Sequence, residues 1–595
     1  MRQIDEARLE SDLGYRFAYL TEFMGFRGPD AQGTWVSGSI GLGHAMLRTT
    51  RAAISDRQPC GVDGLWIVAD CRLDARSDLL ASLQTSSKQL PDTSTDAELI
   101  AHAYLKWGTA CAAHLLGDFA FAIWDAGRRQ LFCARDHLGV KPFYYAHRND
   151  VFLFSNTLEC LRQHPCVSDA LDDRAIGDFL LFDRICDTAG TAFEDIRRLP
   201  AAHSLTISPG GLKIARYWSV PTDGHIRYRD SRDYGDHFQR IFSLAVGDRL
   251  SVESAGMMMS GGVDSTAVAT MAHRLHAAGT VPALRGYTFV YDRLLQDDER
   301  YYAGLGARAL GMPIEFLPLD DYALYERCFD RALRKPEPHH WPLDAATQDL
   351  YRHISGSSRV VLTGEGGDPL SYFGSLLCTP RFHTLLPQAA AYVLSRRRCL
   401  PLGLRTTARR IFGGTSSRSD YPGWLNETFA ARMDLPGRFE QIAAEAPAVH
   451  PTHAKAHAML SNSSWATMFE GLDPGTTRLP LEFRHPIFDV RLIEYVLSIP
   501  LIPWSVEKEL LRSVSTGVQP DEVRLRRKSP LNGDPIAAHL KNGRPAVTEA
   551  LTAQGRLTDY VNLDEVQRGL DDTSGDRWWA DLRPVSLNLW LKHAG

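Results

Sequence analysis

Gly256-Met257-Met258-Met259-Ser260-Gly261-Gly262-Val263-Asp264-Ser265-Thr266 decides how this chain is read. An apolar run from Ala255 to Met259 passes straight into two glycines, and Ala267 to Leu275 beyond them is helix-forming, so the stretch predicts a strand, a tight turn and a helix. Glycines in such a turn let backbone N–H groups close on an anion, and the helix that follows aims its positive end at the same place. Ser260, Ser265 and Thr266 add hydroxyl donors. The loop lacks the lysine and the spacing of the Gly-x-x-x-x-Gly-Lys-Ser/Thr type that grips a transferred phosphoryl group; a mere tight turn is the competing reading. Two further apolar runs, Ala283 to Tyr291 and Arg359 to Thr363, each lead into a loop containing glycine or an acid, the pattern of buried parallel strands in a doubly wound α/β sheet.

The third run continues into Gly364-Glu365-Gly366-Gly367-Asp368. An acid at the carboxyl end of a neighbouring parallel strand faces the crevice where such sheets bind ligands. Asp264 and Asp368 are therefore expected to share a Mg²⁺ that bridges phosphate oxygens, with Ser260, Gly261, Gly262 and Ser265 cradling the anion. A helix cap is the alternative for Asp368. Glu365, between glycines beside that site, is placed to position or deprotonate an incoming amine. Phe289 and Gly364 are expected to flank adenine, although an aromatic on a buried strand is equally a core residue.

Working outward, 595 residues exceed one ordinary core, so two or more domains are expected. Up to about Tyr217 the pattern is of strands at Gly64 to Ala69, Phe119 to Trp124, Gln130 to Ala134, Val151 to Ser155 and Ala202 to Ile207, with one helix from Asp96 to Trp107. This reads as a layered, mainly antiparallel α+β domain over 1–217, followed by an α/β domain with helical additions over 218–595 that opens on a helix from Tyr234 to Arg249. The basic stretch from Arg396 to Arg418 reads as a solvated helix face, a docking surface for an acidic peptide or part of a cavity wall. With 44% hydrophobic and 23% charged residues and a net charge of −5, bulk nucleic-acid binding is not suggested. No apolar run approaches a bilayer span and no signal core opens the chain, so a cytoplasmic protein is expected, its ten scattered cysteines being buried free thiols.

The anion loop resembles that of the N-type ATP pyrophosphatases, the adenine nucleotide α-hydrolase-like fold. With Arg484-His485-Pro486-Ile487-Phe488-Asp489, Lys508-Glu509-Leu510-Leu511-Arg512 and the Arg524 to Lys528 segment, the second domain resembles the asparagine synthetase family. Arg27-Gly28-Pro29-Asp30, Gly117-Asp118-Phe119-Ala120-Phe121 and Ala134-Arg135-Asp136-His137-Leu138-Gly139-Val140-Lys141-Pro142 resemble that family's N-terminal Ntn-amidotransferase fold. The resemblance implies ATP and Mg²⁺ as cofactors, activation of a carboxylate as an acyl-adenylate, release of AMP and pyrophosphate, and amide formation. It implies for Lys528 a role in stabilising charge on the phosphates and the tetrahedral intermediate; read alone, Lys528 ends an ordinary basic run.

The amidotransferase chemistry does not carry over with the fold. Position 2 is Arg2 where the family places its nucleophilic cysteine, Met46 replaces an arginine for the glutamine carboxylate, and Ala69-Asp70-Cys71 replaces Asn-Gly-Glu, leaving Asp96 of the glutamine pocket. Cys71 lacks the free α-amine that serves as base in the N-terminal design. The amine is then expected within the substrate. Cys71-Arg72-Leu73-Asp74-Ala75-Arg76-Ser77-Asp78-Leu79-Leu80, Asp368-Pro369 and Leu587-Asn588-Leu589-Trp590-Leu591 resemble the lasso-peptide cyclases, which implies a precursor peptide, a leader peptidase and a leader-recognition protein as partners. An ammonia-dependent asparagine synthetase, a β-lactam synthetase-like enzyme and an inactive scaffold are the other readings.

Overall fold

The structure, a computed structural model, describes residues 6–84, 90–370, 421–444, 449–527, 531, 533–542, 545–551, 556–571 and 578–594. Lys528 and the stretch from Arg396 to Arg418 lie outside the described residues.

Helix α1 (Glu6–Phe23) lies on the hairpin of β1 (Ala31–Ser37) and β2 (Ile40–Met46). Glycine permits this approach: a Cβ on Gly41 would overlap the Phe17 ring, and one on Gly43 the Thr21 hydroxyl. There follow β3 (Cys60–Val62), β4 (Leu65–Leu73), α2 (Arg76–Leu83), α3 (Asp96–Trp107), β5 (Gly117–Asp125) and β6 (Gln130–Arg135). Next come β7 (Tyr144–Arg148), β8 (Val151–Ser155), α4 (Leu158–Arg162), α5 (Asp173–Phe182), β9 (Arg197–Arg198), β10 (His203–Ser208) and β11 (Gly211–Arg216). Six strands form one antiparallel sheet in the order β11-β10-β6-β5-β4-β3, and a smaller sheet runs β8-β7-β9. Side-chain alternation along β5 divides the layers: Phe119, Phe121 and Ile123 meet Leu99 and Ile100 of α3, while Ala120 and Ala122 face Phe143 and Tyr145. Helix α3 opens on a capping box, the Glu98 N–H donating to Thr95 Oγ1 at 3.3 Å and the Thr95 N–H to the Glu98 carboxylate at 2.7 Å.

The second half begins with α6 (Arg232–Asp248), β12 (Ala255–Met258), α7 (Val263–Ala277), β13 (Leu284–Val290), α8 (Glu299–Ala309) and β14 (Ile314–Pro318). It continues through α9 (Asp344–Ser355), β15 (Val360–Leu362) and the short α10 (Gly367–Leu370) to β16 (Glu482–Arg484). These strands form one parallel sheet in the order β14-β13-β12-β15-β16. The chain winds outward from β12 in one direction and from β15 in the other, so the crevice beyond their carboxyl ends is the topological switch point. From residue 421 onward the described chain is mainly helical, ending in Arg583–Ala594.

The chain is thus an antiparallel α+β layer joined to an α/β domain with helical additions. The halves share hydrophobic cores: Leu138 and Val140 pack with Met257 and Phe488, and Ile176 and Phe179 with Trp424 and Leu587. Among the described residues no helix is long and apolar enough to cross a membrane. The eight described cysteines are free, but only Cys111, Cys133 and Cys160 are fully buried, which corrects the expectation of uniformly buried thiols.

Candidate active site

The loop between β12 and α7 is tied up from within. Ser260 Oγ and Ser265 Oγ lie 2.9 Å apart, the Ser265 hydroxyl also reaches the Ser260 carbonyl at 2.9 Å, and Thr266 Oγ1 donates to the Gly262 carbonyl at 2.7 Å. These bonds hold the first turn of α7 open toward the crevice. The Gly261 N–H donates to the Glu299 carboxylate at 2.5 Å, so an acid of α8 engages an N–H of the loop read as an anion cradle. Arg526 lies 3.3 Å from Glu299 and stacks 3.9 Å over Tyr302. A Cβ on Gly261 would collide with Tyr302 and Arg526.

The loop after β15 presses onto this turn. A Cβ on Gly364 would stand 2.5 Å from the Ser265 backbone nitrogen, and one on Gly367 would stand 2.2 Å from the Asp264 carboxyl carbon. Two glycines therefore let the motif loops touch and bring Asp264 and Asp368 to one place. Lys508 joins them: its Nζ pairs with the Asp264 carboxylate and lies 2.7 Å from Asp368. In the sequence Lys508 stands only within a segment that resembles the family and has no role of its own. Nothing local in sequence joins it to Asp264, and it rests on left-handed backbone at Glu507 (φ 48°) and Lys508 (φ 62°). Arg512 secures that turn, donating to the Glu507 carbonyl at 2.7 Å and to the Arg526 carbonyl at 2.9 Å.

The donors that converge here fit magnesium. Carboxylate oxygens suit a hard cation, and two of them that reach one amine lie within reach of one metal ion. Among the described residues no cluster of three or more His, Cys, Asp or Glu could hold a metal unaided, so phosphate oxygens would supply the remaining positions. Glu365 is exposed at the end of β15, its N–H 3.4 Å from Thr363 Oγ1, and Thr363 in turn bonds His485 Nδ1 at 2.8 Å. Burial holds His485 neutral, pushing it down to about 3. Phe289, half-buried near the carboxyl end of β13, packs in the cluster that holds Tyr351 and Leu317. Tyr351 is raised by burial, with Asp344 and Glu365 adding to the shift, which places a buried phenol in the field of Glu365.

In the first half, a small cavity is lined by Met46, Ala69, Asp70, Cys71 and Asp96, the residues compared with a glutamine pocket. Two of its acids, Asp70 and Asp96, are already matched. Asp70 pairs with Arg27 and, at 2.8 Å, with Lys141, which also lies 2.8 Å from Glu482 of the second half. Asp96 pairs with Arg76 and accepts the Leu73 N–H at 2.9 Å. Burial, with Asp56 and Asp70 adding to it, pushes the Cys71 thiol well above its ordinary value, so it is held as a thiol and not as the nucleophilic thiolate.

A glycine-opened anion loop and paired carboxylates at the switch point of a parallel sheet define a nucleotide-dependent enzyme of the ATP-pyrophosphatase class. A profile for the asparagine synthase family matches residues 237–592, and one for a glutamine amidotransferase domain matches residues 7–218. The chain belongs to the asparagine synthase family, whose members are ATP-dependent carbon–nitrogen ligases that use Mg²⁺ and release AMP and pyrophosphate. It is 28% identical over 543 residues, 86% of this chain and 83% of the relative, to asparagine synthetase [glutamine-hydrolyzing] 3 of Bacillus subtilis. Asparagine synthetase [glutamine-hydrolyzing] 1 of the same organism is 22% identical, over 93% of this chain and 89% of its own. The amidase chry2 of Gibberella zeae is 27% identical over 59% of this chain and 54% of its own.

Proposed function

We propose that this ligase closes a macrolactam between the N-terminal amine of a peptide and an internal Asp or Glu side chain, as lasso-peptide cyclases do. The observation that carries the reading is the cavity of the first half: Asp70 and Asp96 are held in ion pairs and its thiol, Cys71, is held protonated. Ammonia from glutamine is then not the nitrogen source, and the amine comes with the substrate. The substrate carboxylate attacks the α-phosphorus of ATP, pyrophosphate leaves, and the peptide amine displaces AMP. Asp264 and Asp368 would hold the metal, which shields phosphate charge when bound; the 260–265 turn holds the leaving group, and Glu365 orients the amine or takes its proton. The acyl-adenylate must be kept from water until the amine arrives. A precursor peptide, a leader peptidase and a leader-recognition protein are the partners this reading requires.

The test is to incubate the protein with precursor, leader protease and ATP-Mg²⁺ and to seek a core peptide lighter by one water and resistant to carboxypeptidase. AMP should appear in equal amount. The relatives named as asparagine synthetases over most of this chain favour a second reading, ammonia-dependent asparagine synthesis. Asparagine formed from aspartate and ammonium, with no dehydrated peptide, would decide for it.

A further inference from the structure

An apolar slot, open to solvent, lies over the face of the six-stranded sheet away from α3. Its floor is made by Val68 of β4 and by the small Ala120 and Ala122 of β5, and α1 borders it with Phe17, Leu20 and Met24. Two strands form its sides, Gly41 to Ala45 of β2 and Phe152 to Ser155 of β8, and Phe143 with Cys160 and Leu161 of α4 adds to the lining. Consecutive residues of both strands reach the slot, which a strand offers along its edge, since alternate side chains point to opposite faces. Among the described residues β2 pairs only with β1, and β8 only with β7. Each strand therefore presents backbone N–H and C=O groups that no ladder satisfies, beside an apolar space.

We infer that the slot docks an extended segment of the peptide substrate, which inserts as a strand between β2 and β8 and joins the two small sheets. An extended backbone carries donors and acceptors on both edges at strand spacing, whereas a lipid or small apolar ligand leaves both walls unpaired. The pairing lengths of β8 and β2 limit the segment to about five to seven residues. Asp70 is the one carboxylate or permanently charged group on the lining, and it is committed to Arg27 and Lys141, so the segment is uncharged along its length. His44, Ala45, Ala69 and Asp70 are shared with the charged cavity that reaches Pro474 and Glu482. A strand in the slot thus points across the junction toward the ligase half. Assignment to the substrate rests on the macrolactam reading, in which a polypeptide must be held while one end reacts.

The probe is a fluorescein-labelled heptapeptide of alternating valine and threonine, with a proline-interrupted peptide as control, added to the full chain. Anisotropy should report binding of the first alone, and hydrogen exchange at the backbone amides of β2 and β8 should slow at least tenfold. Ala122→Phe, which fills the floor, and Leu20→Arg, which charges the border without touching the floor, should each abolish binding. With the precursor, Leu20→Arg should raise KM about tenfold at unchanged kcat. If the precursor is cyclised equally well by Leu20→Arg, the slot assignment fails and the macrolactam reading stands. If the heptapeptide docks but no precursor is cyclised, the assignment to substrate falls with that reading. Strand edges already protected before peptide is added, in protein from its natural source, would assign the slot to a strand of the chain itself and overturn the inference.

Discussion

Lys508 stands between two carboxylates that the chemistry needs for a cation. Asp264→Asn or Asp368→Asn removes half of the paired acid set and should lower turnover by about 10²–10³-fold or more, measured as AMP release. Lys508→Ala should lower kcat/KM for ATP by a similar factor, because a charge-assisted donor at the phosphate end of the crevice is lost. The same change should tighten Mn²⁺ binding to the nucleotide-free protein, followed by electron paramagnetic resonance, since the amine no longer competes for Asp264 and Asp368. Unchanged Mn²⁺ affinity would show that the two carboxylates do not form the cation site. The acids were legible because each follows an apolar run and a glycine turn. The lysine was not, since its meeting with Asp264 depends on a left-handed turn and on tertiary packing across 244 positions.

The elements that carry the site are set by close approach. Gly364→Ala puts a methyl 2.5 Å from the Ser265 nitrogen, and Gly367→Ala puts one 2.2 Å from the Asp264 carboxyl carbon. Backbone cannot yield there as a side-chain tip can, so Gly364→Ala should cost about 1–3 kcal/mol in chemical unfolding and reduce AMP release. Gly235→Ala, in α6 with open space around it, should be neutral or slightly stabilising and is the control. Two elements read from sequence, α3 and β8, have the observed bounds, because a capping box and a short apolar run between turns are local signals. Others were missed for physical reasons. Gly41 and Gly43 weaken β2 by composition yet are what let α1 lie upon it, and β16 is three residues long, recognisable only by the parallel sheet it completes.

At the scale of the whole molecule, basic residues of the first half, among them Arg27, Arg135 and Lys141 of its family-like motifs, serve its junction with the second. Arg27 bonds Asp473 at 2.9 Å, Arg135 bonds Glu470 at 2.8 Å, Arg198 bonds Glu470 at 2.9 Å, and Lys141 bonds Glu482 at 2.8 Å, all of them buried. Sequence alone could match these motifs to a fold but could not show what they touch, because every partner lies more than 270 positions away. Burial pushes Glu482 up, but Lys141 and Arg484 outweigh it and hold the carboxyl at about 2. A carboxylate lowered in the fold stabilises it above its unfolded value of about 4.3, and that gain disappears as pH falls toward about 2. The advantage of the natural chain over Glu482→Gln in urea unfolding should therefore be flat from pH 8 to 5 and shrink below about pH 4.3. The last prediction separates fold from chemistry in the first half. Residues 219–595 alone should not fold as a soluble body, because Glu470 loses both Arg135 and Arg198, Asp473 loses Arg27, and the shared cores lose Val140 and Phe179. Leaving one buried ion without its partner costs about 3–5 kcal/mol, and several such losses exceed the stability of an ordinary domain. In the intact chain, by contrast, Cys71→Ala should leave AMP release unchanged, and glutamine should yield no glutamate above the enzyme-free background. Glutamate release abolished by Cys71→Ala would mean that the first half is an enzyme, and a folded, active 219–595 fragment would mean that its buried pairs are dispensable.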